Sequence, residues 1–308
     1  MYNSVLNEFD VPARVIETRK AWSESDYNRD KELTAPKDIV EYTDLQYGPF
    51  GPWNLMDIYH PSKENEYYTE GKYPVIIDIH GGGYFYGDKG LYSIYCKELA
   101  HRGFAVVNFN YRLSPEHRFP APLDDFQNLV KWLVENAEKY NIDLNNVFLT
   151  GDSAGAQLAS QVGALYSNEK YASYFGYSFS GITLRGISLS CGMYDIKERA
   201  GLPLDKNIML DYLGEDFDQN DPRIDVLSYI TSSYPSTYLY TAHNDMLKDS
   251  CEPMYNLLNG KGVDCEWDIY GTPEMKNVGH VFQINIAEGE AIKANEKQTE
   301  FLRARIVK

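Results

Sequence analysis

Apolar residues along this chain fall into short, separate runs whose period changes from one run to the next. "PVIIDIH" (74–80) is continuous and β-branched, the pattern of a strand buried on both faces of a sheet. "LYSIYCKELAHRG" (91–103) reads as a helix, which Gly103 ends. The alternation continues with a strand at 104–113, a helix at 123–140 and a strand "NVFLTG" at 146–151; the helix after it carries Leu158, Val162 and Leu165 on one face. Further strands are predicted at 181–190, 236–242 and 264–271, and a terminal helix at 288–306. Ahead of all these, 38–48 and 54–61 predict two early strands joined as a hairpin across "GPFGPW". Strands separated by helices imply right-handed crossovers, hence an α/β fold with a mostly parallel sheet.

Two segments stand outside the alternation. Residues 1–36 are polar, with a helix predicted over 13–33, and residues 197–235 form an inserted helical segment between two strands. An insertion at the C-terminal edge of a parallel sheet is where a lid over a site would sit. The expected division is an N-terminal cap segment, 1–36, and a main domain, 37–308, carrying 197–235 as a cap insertion.

Composition narrows the function. The 308 residues, 43% of them hydrophobic, suffice for one large α/β domain. No apolar run reaches the length of a membrane-spanning helix. "MYNSVLNEFDVPARV" lacks the basic start and apolar stretch of a signal peptide, so a cytoplasmic location is expected. A net charge of −16 opposes binding to nucleic acid or anionic lipid. The four cysteines show no CxxC spacing, which predicts reduced buried thiols, and neither a metal nor another cofactor is expected. The 26 tyrosines leave two readings open: compositional bias with surface packing, or an aromatic pocket for sugars or aryl groups.

The chemistry lies in two glycine-rich stretches. "NVFLTGDSAGAQLASQV" is strand, then G-x-S-x-G, then helix; a strand that turns into a helix within a few residues forces the central residue into a strained conformation and leaves no room for flanking side chains. Such a turn lifts the Ser153 hydroxyl above the sheet at a helix N-terminus, which favours negative charge. A nucleophilic serine needs a base, and the base an orienting acid, in the chain order Ser, acid, His. Of the histidines after Ser153, His280 follows the last strand and fits the base. Asp245, at the end of the strand 236–242, fits the acid, with Asp249 as its rival. "HGGG" (80–83) follows a buried strand, so its backbone can approach a developing oxyanion closely. Gly81, Gly82 and Gly83 read as an oxyanion-hole loop, and the N–H of Ala154 as a further donor. Tyr84, Phe85 and Tyr86 are placed at the substrate entrance, with core packing an equal reading for Phe85. Asp152 reads as a structural support of the loop.

These motifs resemble those of the bacterial hormone-sensitive-lipase-like esterases of the α/β-hydrolase superfamily. "HGGG" is similar to the family's oxyanion motif, "YRLSPEHRFPAPLDD" (111–125) to the segment after its fourth strand, and "GDSAG" (151–155) to its nucleophile elbow. "DMLKD" (245–249) and "GHVF" (279–282) resemble its acid and histidine motifs. The resemblance implies an eight-stranded α/β-hydrolase sheet flanked by helices with a small helical cap. It also implies oxyanion donors at Gly82, Gly83 and Ala154, and cofactor-free hydrolysis of short-acyl carboxylic esters. Tyr84 stands where Trp or Phe is more common, which offers a phenol to a polar substrate, and Ser250 stands where Glu is usual. The expected activity is that of a serine carboxylesterase on a small-molecule ester, with acetylated or feruloylated sugars as candidates. An amidase or arylformamidase with the same triad is the alternative, and a non-catalytic ligand receptor a remoter one. The strand at 264–271 offers an edge for a homodimer.

Overall fold

The computed structural model describes residues 11–200 and 206–307. Helix α1 (Ala13–Asp30) leads into the antiparallel pair β1 (Ile39–Gln46) and β2 (Leu55–Pro61). Then follow β3 (Tyr73–Ile79), α2 (Lys89–His101), β4 (Ala105–Phe109), α3 (Ala121–Asn136), β5 (Ile142–Asp152), α4 (Ala154–Ser167) and the short α5 (Glu169–Ser173). The second half holds β6 (Leu184–Ser190), α6 (Ile196–Ala200), α7 (Lys206–Leu213), β7 (Ser236–Ala242), α8 (Cys251–Gly260), β8 (Cys265–Tyr270) and α9 (Gly289–Arg303).

The eight strands form one sheet in the order β1-β2-β4-β3-β5-β6-β7-β8, with β2 antiparallel to both neighbours and the rest parallel. This is the α/β-hydrolase sheet the motifs implied. The uninterrupted apolar run of β3 is explained by its place beside β4 and β5: Val75, Ile77 and Ile79 pack on one face and Ile76 on the other. Helices α3, α4 and α8 cover the first face through Phe126, Leu129, Val162 and Leu258; α2 and α9 cover the second through Leu99, Ala294 and Leu302. Burying branched side chains on both sides removes apolar area from water at roughly 25 cal/mol per Å² and holds the central strands rigid.

The structure departs from the sequence expectations at several elements. The strand expected over 181–190 begins only at Leu184. Strand β5 starts earlier than expected, at Ile142, because Ile142 and Asp143 pair with Tyr73 and Pro74 before a register shift. Helix α8 has no counterpart among the expected elements. The insertion contains most of α6, then α7 and two single-turn helices, Pro222–Ile224 and Leu227–Tyr229. Residues 1–10 of the first expected cap segment and 201–205 of the second lie outside the described residues. Among the described residues, no helix is long and apolar enough to cross a membrane.

Candidate active site

Strand β5 enters α4 through a single residue. Ser153 holds φ 51° and ψ −117°, a backbone state that costs a side-chain-bearing residue about 1–3 kcal/mol and persists only where the surroundings impose it. The two glycines are what allow it. A Cβ on Gly155 would lie 1.9 Å from the carbonyl oxygen of Ile79, and one on Gly151 would lie 2.5 Å from the carbonyl oxygen of Gly155. The turn is therefore pressed against the end of β3 by backbone contact, and the Ser153 N–H donates to the Ser190 carbonyl at 3.0 Å.

Two loops bring partners to this serine. A single bridge between Asn244 and Gly279 draws the segment after β7 against the segment after β8. His280 then places Nε2 3.0 Å from Ser153 Oγ and Nδ1 2.6 Å from Asp245 Oδ1. The Asp245 carboxylate also accepts the Thr241 hydroxyl at 2.6 Å and the Leu247 N–H at 3.0 Å. Burial alone would raise its pKa, but the hydrogen bond and charge of His280, with those two donors, hold it below the usual carboxylate value. Of the two candidate acids, Asp245 is the one that meets the histidine; Asp249 is exposed.

The loop after β3 lies beside the turn. Gly82 and Gly83 have φ of 113° and 60°, and a Cβ on Gly82 would stand 2.0 Å from the Tyr86 carbonyl oxygen. Gly82's own carbonyl accepts the N–H groups of Phe85 and Tyr86 at 3.1 and 2.9 Å, which fixes the peptide unit carrying the Gly83 N–H. His80 fixes the preceding unit: burial lowers its pKa to about 4, so the ring is neutral, and Nδ1–H donates to the Gly81 carbonyl at 2.7 Å. Gly81 differs from its neighbours, because its N–H is already taken by the Tyr92 hydroxyl at 2.9 Å. Among the described residues no hydrogen bond takes up the N–H of Gly82, Gly83 or Ala154.

Of the three aromatic residues beyond the glycines, one departs from its expected place. Tyr84 is a correction: its ring is buried and stacked on Tyr212 at 3.9 Å, and its hydroxyl donates to Gln157 at 3.1 Å rather than facing an entrance. Phe85 packs against Trp22 of α1, and Tyr86 donates its hydroxyl to Asp26 of the same helix at 2.7 Å. Both line a groove of about 900 Å³ between α1 and the β1–β2 connection, together with Arg19, Glu24, Asp44, Trp53 and Asn110; Ser153 is not part of its lining.

Arg19, Arg14 and Asp78 lie outside the quoted motifs, whereas Asp152 lies within one. Arg19 on α1 binds Glu116 through both guanidinium branches, at 2.7 and 2.8 Å, and donates to the carbonyls of Phe85 and Ser114. Arg14 binds Asp211 of α7 in the same forked way. Asp152 and Asp78 are buried carboxyls; burial raises the pKa of Asp152 to about 7 and that of Asp78 well above the usual range. Among the described residues, the one group of donors close enough to hold a metal is Cys191, Asp245 and His280. Two of its members, Asp245 and His280, belong to the hydrogen-bonded line to Ser153, and burial pushes the pKa of the third, the Cys191 thiol, well up.

Residues 76–284 match the Abhydrolase_3 family, described as having the alpha/beta hydrolase fold. An alpha/beta hydrolase of Acanthamoeba polyphaga mimivirus is 28% identical over 198 residues, covering 62% of this chain and 57% of that protein. The ethyl acetate hydrolase of Pseudomonas putida is 40% identical over 86 residues, covering 28% of this chain and 27% of its own. Each match spans less than two thirds of the relative's length. A crystal structure of inhibited esterase B from Lactobacillus rhamnosis superposes with a TM-score of 0.83 at 26% identity, covering 95% of both chains.

Proposed function

This chain belongs to the Abhydrolase_3 family of the alpha/beta hydrolase fold, and on that premise we propose that it is a serine carboxylesterase acting on short-acyl esters. One observation carries the reading. Three side chains 127 and 35 residues apart in sequence meet as Ser153–His280–Asp245 in a continuous hydrogen-bonded line at the strained turn.

His280 Nε2 takes the proton of Ser153 as Oγ attacks the ester carbonyl, and Asp245 holds the ring through Nδ1–H and stabilises the imidazolium. The carbonyl oxygen becomes an oxyanion among the N–H groups of Gly82, Gly83 and Ala154. Preorganised donors of this kind are each worth on the order of 3 kcal/mol in the transition state. The alcohol leaves with the proton from His280. A water molecule, deprotonated by the same imidazole, then releases the acid and restores Ser153.

The name of the Pseudomonas putida relative, an ethyl acetate hydrolase, supports a short acyl chain. Acetylated or feruloylated sugars are the finer part of this reading. The groove lined by Trp53, Phe85 and Tyr86 beside Arg19, Glu24 and Asn110 combines ring faces with hydrogen-bonding groups, which suits a sugar. Faster hydrolysis of acetylated oligosaccharides than of simple aryl acetates is expected; the reverse order removes this finer part. Residues 1–36 and 197–235 are the cap in this reading, and the free edge of β8 pairs two chains into a homodimer.

The deciding measurement is release of p-nitrophenol from acetyl, butyryl and octanoyl esters by the wild type and by Ser153→Ala. Turnover of the short esters that falls by at least about 10⁴-fold in the variant is expected. Equal rates in the two proteins overturn the proposal.

A further inference from the structure

Tyr92 lies on α2, sixty positions before Asp152 in the chain, and is buried with 3% exposure. Its hydroxyl accepts the Gly81 N–H at 2.9 Å and donates its single proton to Asp152 Oδ2 at 3.0 Å. One side chain thus joins the glycine loop after β3 to the residue immediately before Ser153. The contact is close-packed, since a Cβ on Gly81 would fall 2.4 Å from Asp152 Oδ2 and 3.0 Å from the Tyr92 oxygen. The same peptide unit is held at its other end, where the His80 carbonyl accepts the Tyr111 hydroxyl at 2.8 Å. That unit leads directly into the one bearing the Gly82 N–H.

We infer that Tyr92 is a positioning residue for the proposed ester hydrolysis: its hydroxyl fixes the Gly81 peptide, and through it the Gly82 and Gly83 donors, relative to Ser153. The inference rests on the ester-hydrolase reading. Removing the hydroxyl leaves the loop's outer contacts in place but frees the peptide unit from which the donors extend. A misplacement of about 1 Å at such a site is enough to cost on the order of a hundredfold in rate.

Tyr95 provides the matched control. It is also buried on α2, but its hydroxyl accepts the Gln298 side-chain amide of α9 at 2.9 Å instead of a loop N–H. Tyr92→Phe and Tyr95→Phe each remove one buried phenol, so both are expected to lower Tm. For p-nitrophenyl butyrate, with enzyme concentration set by phosphonate titration of Ser153, Tyr92→Phe is expected to lower kcat roughly ten- to a hundredfold with KM changed by less than about threefold. Tyr95→Phe is expected to retain the wild-type kcat. Hydrogen exchange is expected to quicken in the peptide spanning 79–88 in Tyr92→Phe alone. Equal kcat in the two variants, or unchanged exchange in that peptide, overturns the inference. A wild type without ester turnover overturns the ester reading instead, and the exchange measurement then decides whether the clamp exists.

Discussion

Asp152 carries an electrostatic penalty built into the turn that holds Ser153. Burial raises its pKa to about 7, against the opposing pull of the Tyr92 hydrogen bond and the charges of His280 and Arg29. An unfolded aspartate titrates near 3.9, so from about pH 4 to about pH 7 the folded chain keeps a proton that the unfolded chain has lost. Stability from this residue therefore falls as pH rises through that window and levels off above it. Asp152→Asn removes the titration, so its Tm is expected to decline less than the wild type's between about pH 4.5 and pH 7. Parallel Tm–pH curves for the two proteins would show that Asp152 is not the group responsible. That Ser153, His280 and Asp245 come together was legible in the sequence because the elbow is a local pattern and the chain order limits its partners. Tyr92 and Asp78 were not, since their roles arise from contacts that exist only once β3, α2 and β5 are side by side. Tyr84 misled for the same reason: position after "HGGG" places the residue, but its rotamer and the Gln157 partner are set by α4.

At the scale of elements, strands and helices with a clear period were readable, and those held by other means were not. Helix α1 was expected as a helix, but its docking was invisible, because Val15 is its only buried residue among those described and charged side chains bind it to the body. Helix α8, "CEPMYNLLNG", is short, with Pro253 in its first turn and Asn259 and Gly260 at its end, and no element was expected there. The attachment of α1 can be tested at Arg19, whose side chain is 12% exposed and whose partner Glu116 is 1% exposed. Arg19→Met strands a buried carboxylate and is expected to cost about 3–5 kcal/mol in urea unfolding. Adding Glu116→Met is expected to recover part of that loss, because the unpaired charge is then gone. A double variant no more stable than Arg19→Met would mean that the bonds from Arg19 to the Phe85 and Ser114 carbonyls, rather than the ion pair, attach the helix.

For the whole molecule, periodicity indicated a mostly parallel sheet and an early hairpin, which is the antiparallel β1–β2 pair, whereas the strand order was not legible. No local pattern tells β4 to lie between β2 and β3. The sheet ends at β1 and β8, and β8 pairs only with β7 among the described strands. Light scattering is expected to give about 71 kDa, twice the 35.3 kDa of one chain, and a mass of one chain removes the proposed dimer. The contact of Gly155 with the Ile79 carbonyl has a consequence at this scale. The turn that carries the attacking oxygen is seated on the end of β3 by main chain touching main chain, a contact to which neither α1 nor the insertion contributes. Rewriting those outer segments then leaves the seat of the nucleophile in place, much as a tool holder accepts different bits.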